Sequence, residues 1–329
     1  MGSWQGFPTL AGTSDIWVTG FVLAHISPLS QRASAMDKIY EFLLASQHPG
    51  GGWSYSASVP PDADSTAWCL AALANFPLIK EEVVQKARSF LWEHYVGKGL
   101  ATYRPSSGIQ QFIGAPNEEY LAGWYASHPD VSMAAVLADL QQIHVPEILQ
   151  WVTSRQSSEG LFDAYWWRGP YYTTALLLRA LSLSKRSLAR STKMALAAGL
   201  KKKQLANGAY GIGPTTTPDN FSTALALECL VHIEMETTEE ARQACGHALL
   251  KAQNKDGSWA GGHILRLPAP NVTDPGTVPS WNNPGRGGNS FVEDKAGLFA
   301  TAMACHVLAL WREKTLVSQR APDSKNGQG

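Results

Sequence analysis

Gln47-His48-Pro49-Gly50-Gly51-Gly52-Trp53 decides how this chain is read. A glutamine stands four residues before a glycine, and an aromatic ring two residues after it. The spacing returns at Gln156, Gly160 and Phe162, at Gln204, Gly208 and Tyr210, and at Gln253, Gly257 and Trp259. A degenerate copy has Tyr95 in the glutamine's place and Gly99 four residues on. The first positions, 47, 95, 156, 204 and 253, are separated by 48, 61, 48 and 49 residues. So regular a recurrence marks stacked units, each burying its neighbour's apolar face.

Upstream of each copy lies an amphipathic stretch with helical spacing: Ala35 to Ser46, Glu81 to Tyr95, Pro146 to Arg155, Ser187 to Lys203, Thr238 to Ala252. The glycine suits a helix C-terminus, where a left-handed backbone is cheap only without a β-carbon. Between copies run helices of another kind, nearly uncharged and rich in Ala, Leu, Thr and aromatics. They begin near Asp15, Asp64, Asp130, Tyr172, Asn220 and Phe299. A helix apolar all round is buried. Six of these alternating with five amphipathic ones predict an all-α, (α/α)6 toroid of inner and outer helices around a central hollow. The sixth outer helix is missing or supplied by the termini. Residues 1–315 are expected to form one domain, and 316–329 a disordered tail.

Composition narrows the function. Lys+Arg and Asp+Glu both total 27 among 329 residues, so no net field attracts nucleic acid. The run Lys201-Lys202-Lys203 reads as a solvated helix end. Cys69, Cys229, Cys245 and Cys305 form no CxxC pair and read as buried thiols in a reducing compartment. Met1 to Gly6 lacks a charged, then apolar, leader, so no secretory signal is expected and the location expected is cytoplasmic.

The links into the inner helices are the long ones, at 96–129, 160–170, 205–219 and 254–295, whereas Ser27-Pro28-Leu29 and His144-Val145-Pro146 are short. Long loops on a rigid scaffold carry function, so the mouth should lie where inner helices start. Asp15, Asp64, Asp130 and Asp219 all sit there, and helix capping explains an aspartate at such a point. Asp64 differs in having Asp62 two residues before it.

The glutamine–glycine–aromatic repeats resemble the QW motifs of squalene–hopene and oxidosqualene cyclases. Asp62-Ala63-Asp64-Ser65-Thr66 resembles the Asp-x-Asp-Asp-Thr motif of class II terpene cyclases. The resemblance covers about residues 13–312. It implies a proton-donating Asp64 assisted by Asp62, with Ser65 and Thr66 completing the motif. Two departures stand out. Ser65 replaces the third acidic residue, which suggests that a hydroxyl orients the acid. Ala134 falls about where bacterial triterpene enzymes place a histidine. With one barrel, not two, the chain looks like the small class II cyclases that convert prenylated aromatic acids to meroterpenoids, of the merosterolic acid synthase kind.

Such a reaction implies a linear prenyl substrate, here a farnesylated hydroxybenzoic acid closing to a fused, drimane-type ring system. A carbocation needs electron-rich walls. Trp17, Trp68, Trp166, Trp167, Tyr171, Tyr172, Phe221 and Phe299 lie on or beside inner helices and are the expected lining, while Trp53 and Trp259 read as structural. Arg168 and Arg286, with Arg266 and Arg104 behind them, are placed to bind a carboxylate or diphosphate. No cofactor is expected; Mg2+ would enter only with a diphosphate, for which Asn117-Glu118-Glu119 is a weak site. The expected partner is a small isoprenoid, taken up by a monomer with peripheral membrane contact. Three alternatives remain open. One is a cyclase of farnesyl or geranylgeranyl diphosphate. Another is a prenyltransferase-like enzyme, whose zinc site the stretches at Asp256 and Asp294 match only in part: Ser258 stands where a cysteine ligand would, and Cys305 and His306, adjacent on one helix, cannot converge well on one metal. The third is a toroid that binds isoprenoid or protein without catalysis.

Overall fold

The computed structural model describes residues 2–27, 34–74, 76–212, 217–282 and 285–320. The links expected at 27–29 and 205–219 fall partly outside the described residues, and the tail expected at 316–329 does so from residue 321. The inner helices are α1 (Ile16–Ile26), α3 (Ala63–Leu73), α6 (Pro129–Ala138), α8 (Tyr171–Leu183), α10 (Asn220–Ile233) and α12 (Leu298–Arg320). Each packs on the next, and α12 closes the ring against α1. Outside them lie α2 (Ser34–Ala45), α4 (Glu81–Trp92), α7 (Val145–Thr153), α9 (Arg190–Lys203) and α11 (Glu239–Lys251). The helix bounds fall close to those expected.

The repeat is a joint between neighbouring units. In three copies the glutamine amide nitrogen donates twice. Gln47 reaches Gly51 O at 2.8 Å and Val83 O at 3.0 Å, on the next outer helix. Gln156 and Gln204 do the same with Thr192 O and Ala241 O. Gly160 has φ +83°, and a Cβ there would lie 2.2 Å from Ala195 O. The glycine thus serves both the turn and the close approach of the next helix. The aromatic folds back on its own helix: Trp53 Nε1 donates to Leu43 O, and Trp259 Nε1 to Leu249 O, both at 2.7 Å.

An inner-helix hydroxyl closes each joint. The amides of Trp53, Phe162, Tyr210 and Trp259 donate to Thr66, Thr174, Thr223 and Thr301 at 2.9–3.0 Å. Leu100 uses Ser132 and Trp4 uses Thr19 in the same way. Ser132, Thr174 and Thr223 also donate to a backbone carbonyl four residues back on their own chain. The pattern therefore runs six times around the ring, including copies with no glutamine.

Two differences from the sequence reading matter. α12 continues as helix through residues 316–320, where the tail was placed, with Trp311 against Gly246 of α11. The central hollow is filled. Phe21 and Phe299 stack at 3.8 Å, Trp167 stacks on Tyr172 at 4.2 Å and on Phe221 at 5.2 Å, and Trp68 meets Phe21 edge-on. Rings that could line a void pack against each other instead, because stacked and edge-on pairs stabilise beyond the area they bury. Open space lies above this plug, at the N-terminal ends of the inner helices. Two antiparallel ribbons roof it: β1 (Gly6–Thr9) with β2 (Gly12–Ser14), and β3 (Leu265–Leu267) with β4 (Ser290–Val292).

Candidate active site

Asp62 and Asp64 divide two tasks at the start of α3. Asp62 is the N-cap, accepting from Ser65 N at 2.8 Å and Ser65 Oγ at 2.7 Å. That leaves the Asp64 carboxyl free of capping. It lines a cavity of about 650 Å3, and Trp17 Nε1 donates to its Oδ2 at 2.8 Å. The Ser65 hydroxyl therefore serves Asp62 and does not orient the acid. Thr66 belongs to the scaffold: besides holding Trp53, its hydroxyl donates to Asp62 O at 2.7 Å.

Electrostatics favour a protonated Asp64. Enclosure raises its pKa well above the carboxylate range, the charges of Asp62 and Asp130 add to this, and the Trp17 and Trp68 indoles oppose it. The Trp68 nitrogen makes no hydrogen bond of its own. Asp62 is itself pushed up to about 6 by burial, against its Ser65 hydrogen bonds. Asp130 is raised too, mainly by burial; it accepts from Trp166 N at 2.7 Å while its Oδ1 is buried without a partner. Two buried carboxyls, Asp62 of α3 and Asp130 of α6, thus act on the Asp64 carboxyl that faces the cavity. Sequence reasoning took Asp130 as a capping residue and missed its place beside the acid.

The expected lining residues part company. Trp17, Trp166 and Arg286 line the cavity. Trp68, Trp167, Tyr172, Phe221 and Phe299 form the plug beneath it, and Tyr171 packs against Tyr210. Arg168 lies over the Phe291 ring at 3.8 Å and donates to His263 O. Arg266 donates to the Ala164 and Tyr165 carbonyls, and Arg104 pairs with Glu93. Arg286 forms no ion pair among the described residues. The walls that the sequence reading missed come from the segments between the long helices: Tyr55, Thr102, Tyr103, Phe112, Trp124 and Leu267 among them. Most fall in the 96–129 and 254–295 links, so loop length was the available signal.

The residues weighed for metals are engaged elsewhere. Asn117 caps a turn by accepting from Tyr120 N, and Glu118 accepts from Tyr125 and Ser106. Asp294 accepts from the amides of Leu298, Phe299 and Ala300, Asp256 pairs with Ser258, and His306 faces Glu228. Among the described residues no three His, Cys, Asp or Glu side chains gather as ligands. No described helix is long and apolar enough to cross a membrane.

An α/α toroid with an acidic pair at the start of an inner helix, Asp64 opening with a raised pKa on an aromatic-walled cavity, has the arrangement of a protonation-initiated terpene cyclase. The chain belongs to the prenyltransferase alpha-alpha toroid domain family, whose model matches residues 9–175 and 171–268. Among solved structures it is similar to the type II terpene cyclase MstE from Scytonema, held with geranylgeranyl dihydroxybenzoate as substrate. The two share 27% identity over 95% of this chain and 92% of that one, with a TM-score of 0.85. A protein from Actinoplanes matches equally well, at 28% identity over 94% of each chain and a TM-score of 0.85. A curated relative, labda-7,13-dienyl diphosphate synthase from Streptomyces clavuligerus, is 25% identical over 242 residues; the chain spans only 38% of its length.

Proposed function

We propose that this chain cyclises a prenylated hydroxybenzoate to a fused-ring meroterpenoid, with Asp64 as the acid. The observation that carries this reading is Asp64 itself: half-buried, with the buried carboxyls of Asp62 and Asp130 acting on it, and facing a cavity lined by Trp17, Tyr55, Trp124 and Trp166. The likeness to MstE, whose R337A variant is seen in complex with geranylgeranyl dihydroxybenzoate, supports the substrate class.

Asp64 transfers its proton to the terminal alkene of the prenyl chain. One new C–H bond forms, and the positive charge falls on the more substituted carbon. Successive double bonds attack it, each closing a ring and moving the charge on, until a proton is lost from carbon and the product is an isomer of the substrate. The aromatic walls stabilise each cation, by roughly 2 kcal/mol per desolvated indole face. Arg286 holds the benzoate carboxylate at the mouth.

The toroid acts as one domain in this reading, through the end of α12 at Arg320, and the protein works as a cytoplasmic monomer. Leu10, Phe112 and Tyr120 line the cavity yet stay exposed, which suits uptake of a lipid substrate from a membrane surface. One unpaired arginine fits a carboxylate better than a diphosphate. Incubating the protein separately with farnesyl and geranylgeranyl hydroxybenzoates and with both diphosphates tests the choice. Cyclised product from the benzoates supports it; product from the diphosphates alone overturns it.

A further inference from the structure

Trp166 is held at two points. Its backbone amide donates to Asp130, and its indole Nε1 donates to Thr102 Oγ1, both at 2.7 Å. Thr102 and Trp166 both line the cavity. The Thr102 hydroxyl lies 2.8 Å from His128 Nδ1, while His128 Nε2 lies 2.8 Å from Gly123 O. A carbonyl only accepts, so Nε2 carries the imidazole proton and Nδ1 is bare. Burial pushes the His128 pKa down to about 3, so the ring is neutral. The single hydroxyl proton of Thr102 therefore points at Nδ1, leaving the oxygen free to accept the indole N–H. Stacking on Tyr165, at 3.7 Å and 12°, fixes the imidazole. The same Thr102 accepts the Ala63 amide through its carbonyl at 3.0 Å, and Ala63 stands between Asp62 and Asp64.

We infer that Thr102, backed by His128, is a positioning residue for the cyclisation: it ties the start of the acid's helix to the Trp166 indole and turns that ring's N–H away from the substrate. The orientation matters because an indole edge is electropositive and its face electron-rich. A free N–H pointing into the cavity would repel the cation that the face attracts. The role rests on the cyclase reading above, and its test has one arm that does not depend on turnover.

Thr102→Val keeps the shape and removes both hydrogen bonds; Thr102→Ser restores them. With a prenylated hydroxybenzoate, T102V should raise the share of partly cyclised and hydroxylated products roughly tenfold. Its KM should stay within about twofold of the parent's, since the substrate loses no contact. T102S should return the parent ratio. Independently, in 15N spectra of the indole N–H groups, the Trp166 signal is the one absent from Trp166→Phe. It should move upfield and exchange faster with solvent in T102V, but not in T102S. Thr102→Ala also removes the hydroxyl that accepts the indole N–H, and carries the product test with the same expected rise if T102V does not fold. An unchanged product ratio in T102V, or an unmoved Trp166 signal, overturns the inference. A parent protein that cyclises nothing overturns the cyclase reading and the role of Thr102 with it, whatever the spectrum shows.

Discussion

Trp17 Nε1 donates a 2.8 Å hydrogen bond to Asp64 Oδ2, so the acid is steered by a residue that also lines its cavity. The bond favours the carboxylate, whereas the neighbouring charge of Asp130 disfavours it. The two neighbours should therefore move the pH profile in opposite directions. Trp17→Phe removes a donor to the anion, so Asp64 stays protonated to higher pH and the alkaline limb of kcat moves up. Asp130→Asn removes a like charge, so the limb moves down. Each shift should be up to about one pH unit. Profiles of kcat against pH for the three proteins check the pair; shifts in the same direction would contradict the assignment.

The same pKa has a cost in stability. An acid whose pKa is raised on folding holds its proton longer in the native state than in the unfolded one. Its contribution is intact below the ordinary carboxylate pKa near ~3.9 and is lost as pH rises through the folded value. For Asp62 that window closes at about 6; for Asp64 it extends upward from the same starting point. Asp64→Asn, which cannot ionise, should match the parent's Tm at pH 4 and exceed it at pH 8. Melting curves at the two pH values decide the matter, and a lower Tm at pH 8 would count against a strained, protonated acid.

The repeat glycines are not equivalent. A Cβ on Gly160 meets Ala195 O at 2.2 Å, while the nearest atom to one on Gly257 is 3.9 Å away. Both have positive φ. Gly257→Ala should cost about 1 kcal/mol, the price of the left-handed backbone alone, and Gly160→Ala about 3 kcal/mol or more. Urea midpoints with an unchanged m-value measure both.

Arg286 is the cavity's arginine. Arg286→Gln should raise KM about tenfold or more for a free prenylated benzoate and change little for its methyl ester, which carries no charge to pair. Arg168→Gln, with its guanidinium packed on Phe291, should change KM little. Steady-state kinetics on the acid and the ester distinguish the two arginines.

What the sequence disclosed depended on which features are local. The glutamine, the positive-φ glycine and the folded-back Trp53 lie within seven residues, so their spacing survives as a pattern. The acidic pair at Asp62 and Asp64 is likewise contiguous. The cavity is not. Its walls join Leu10 of the β1–β2 turn, Tyr55, the Thr102 to Trp124 link and the Leu265 to Gly288 link, segments without a common period. The all-round apolar character of the inner helices told that they are buried, but not whether a void or another ring lies opposite a given side chain. Phe221 and Phe299 satisfy either case, and the structure shows them filling the axis. Thr66 was misread for a related reason. Its place in an acidic motif concealed that Thr174, Thr223 and Thr301 do the same work where there is no acid.

In the proposed reaction Asp64 gives carbon a proton that the acid exchanges with solvent. Turnover of a prenylated hydroxybenzoate in D2O measures this directly. The product should carry one non-exchangeable deuterium, on the ring carbon derived from the terminal alkene, and Asp64→Asn should give no product. Cyclised product without carbon-bound deuterium would contradict it.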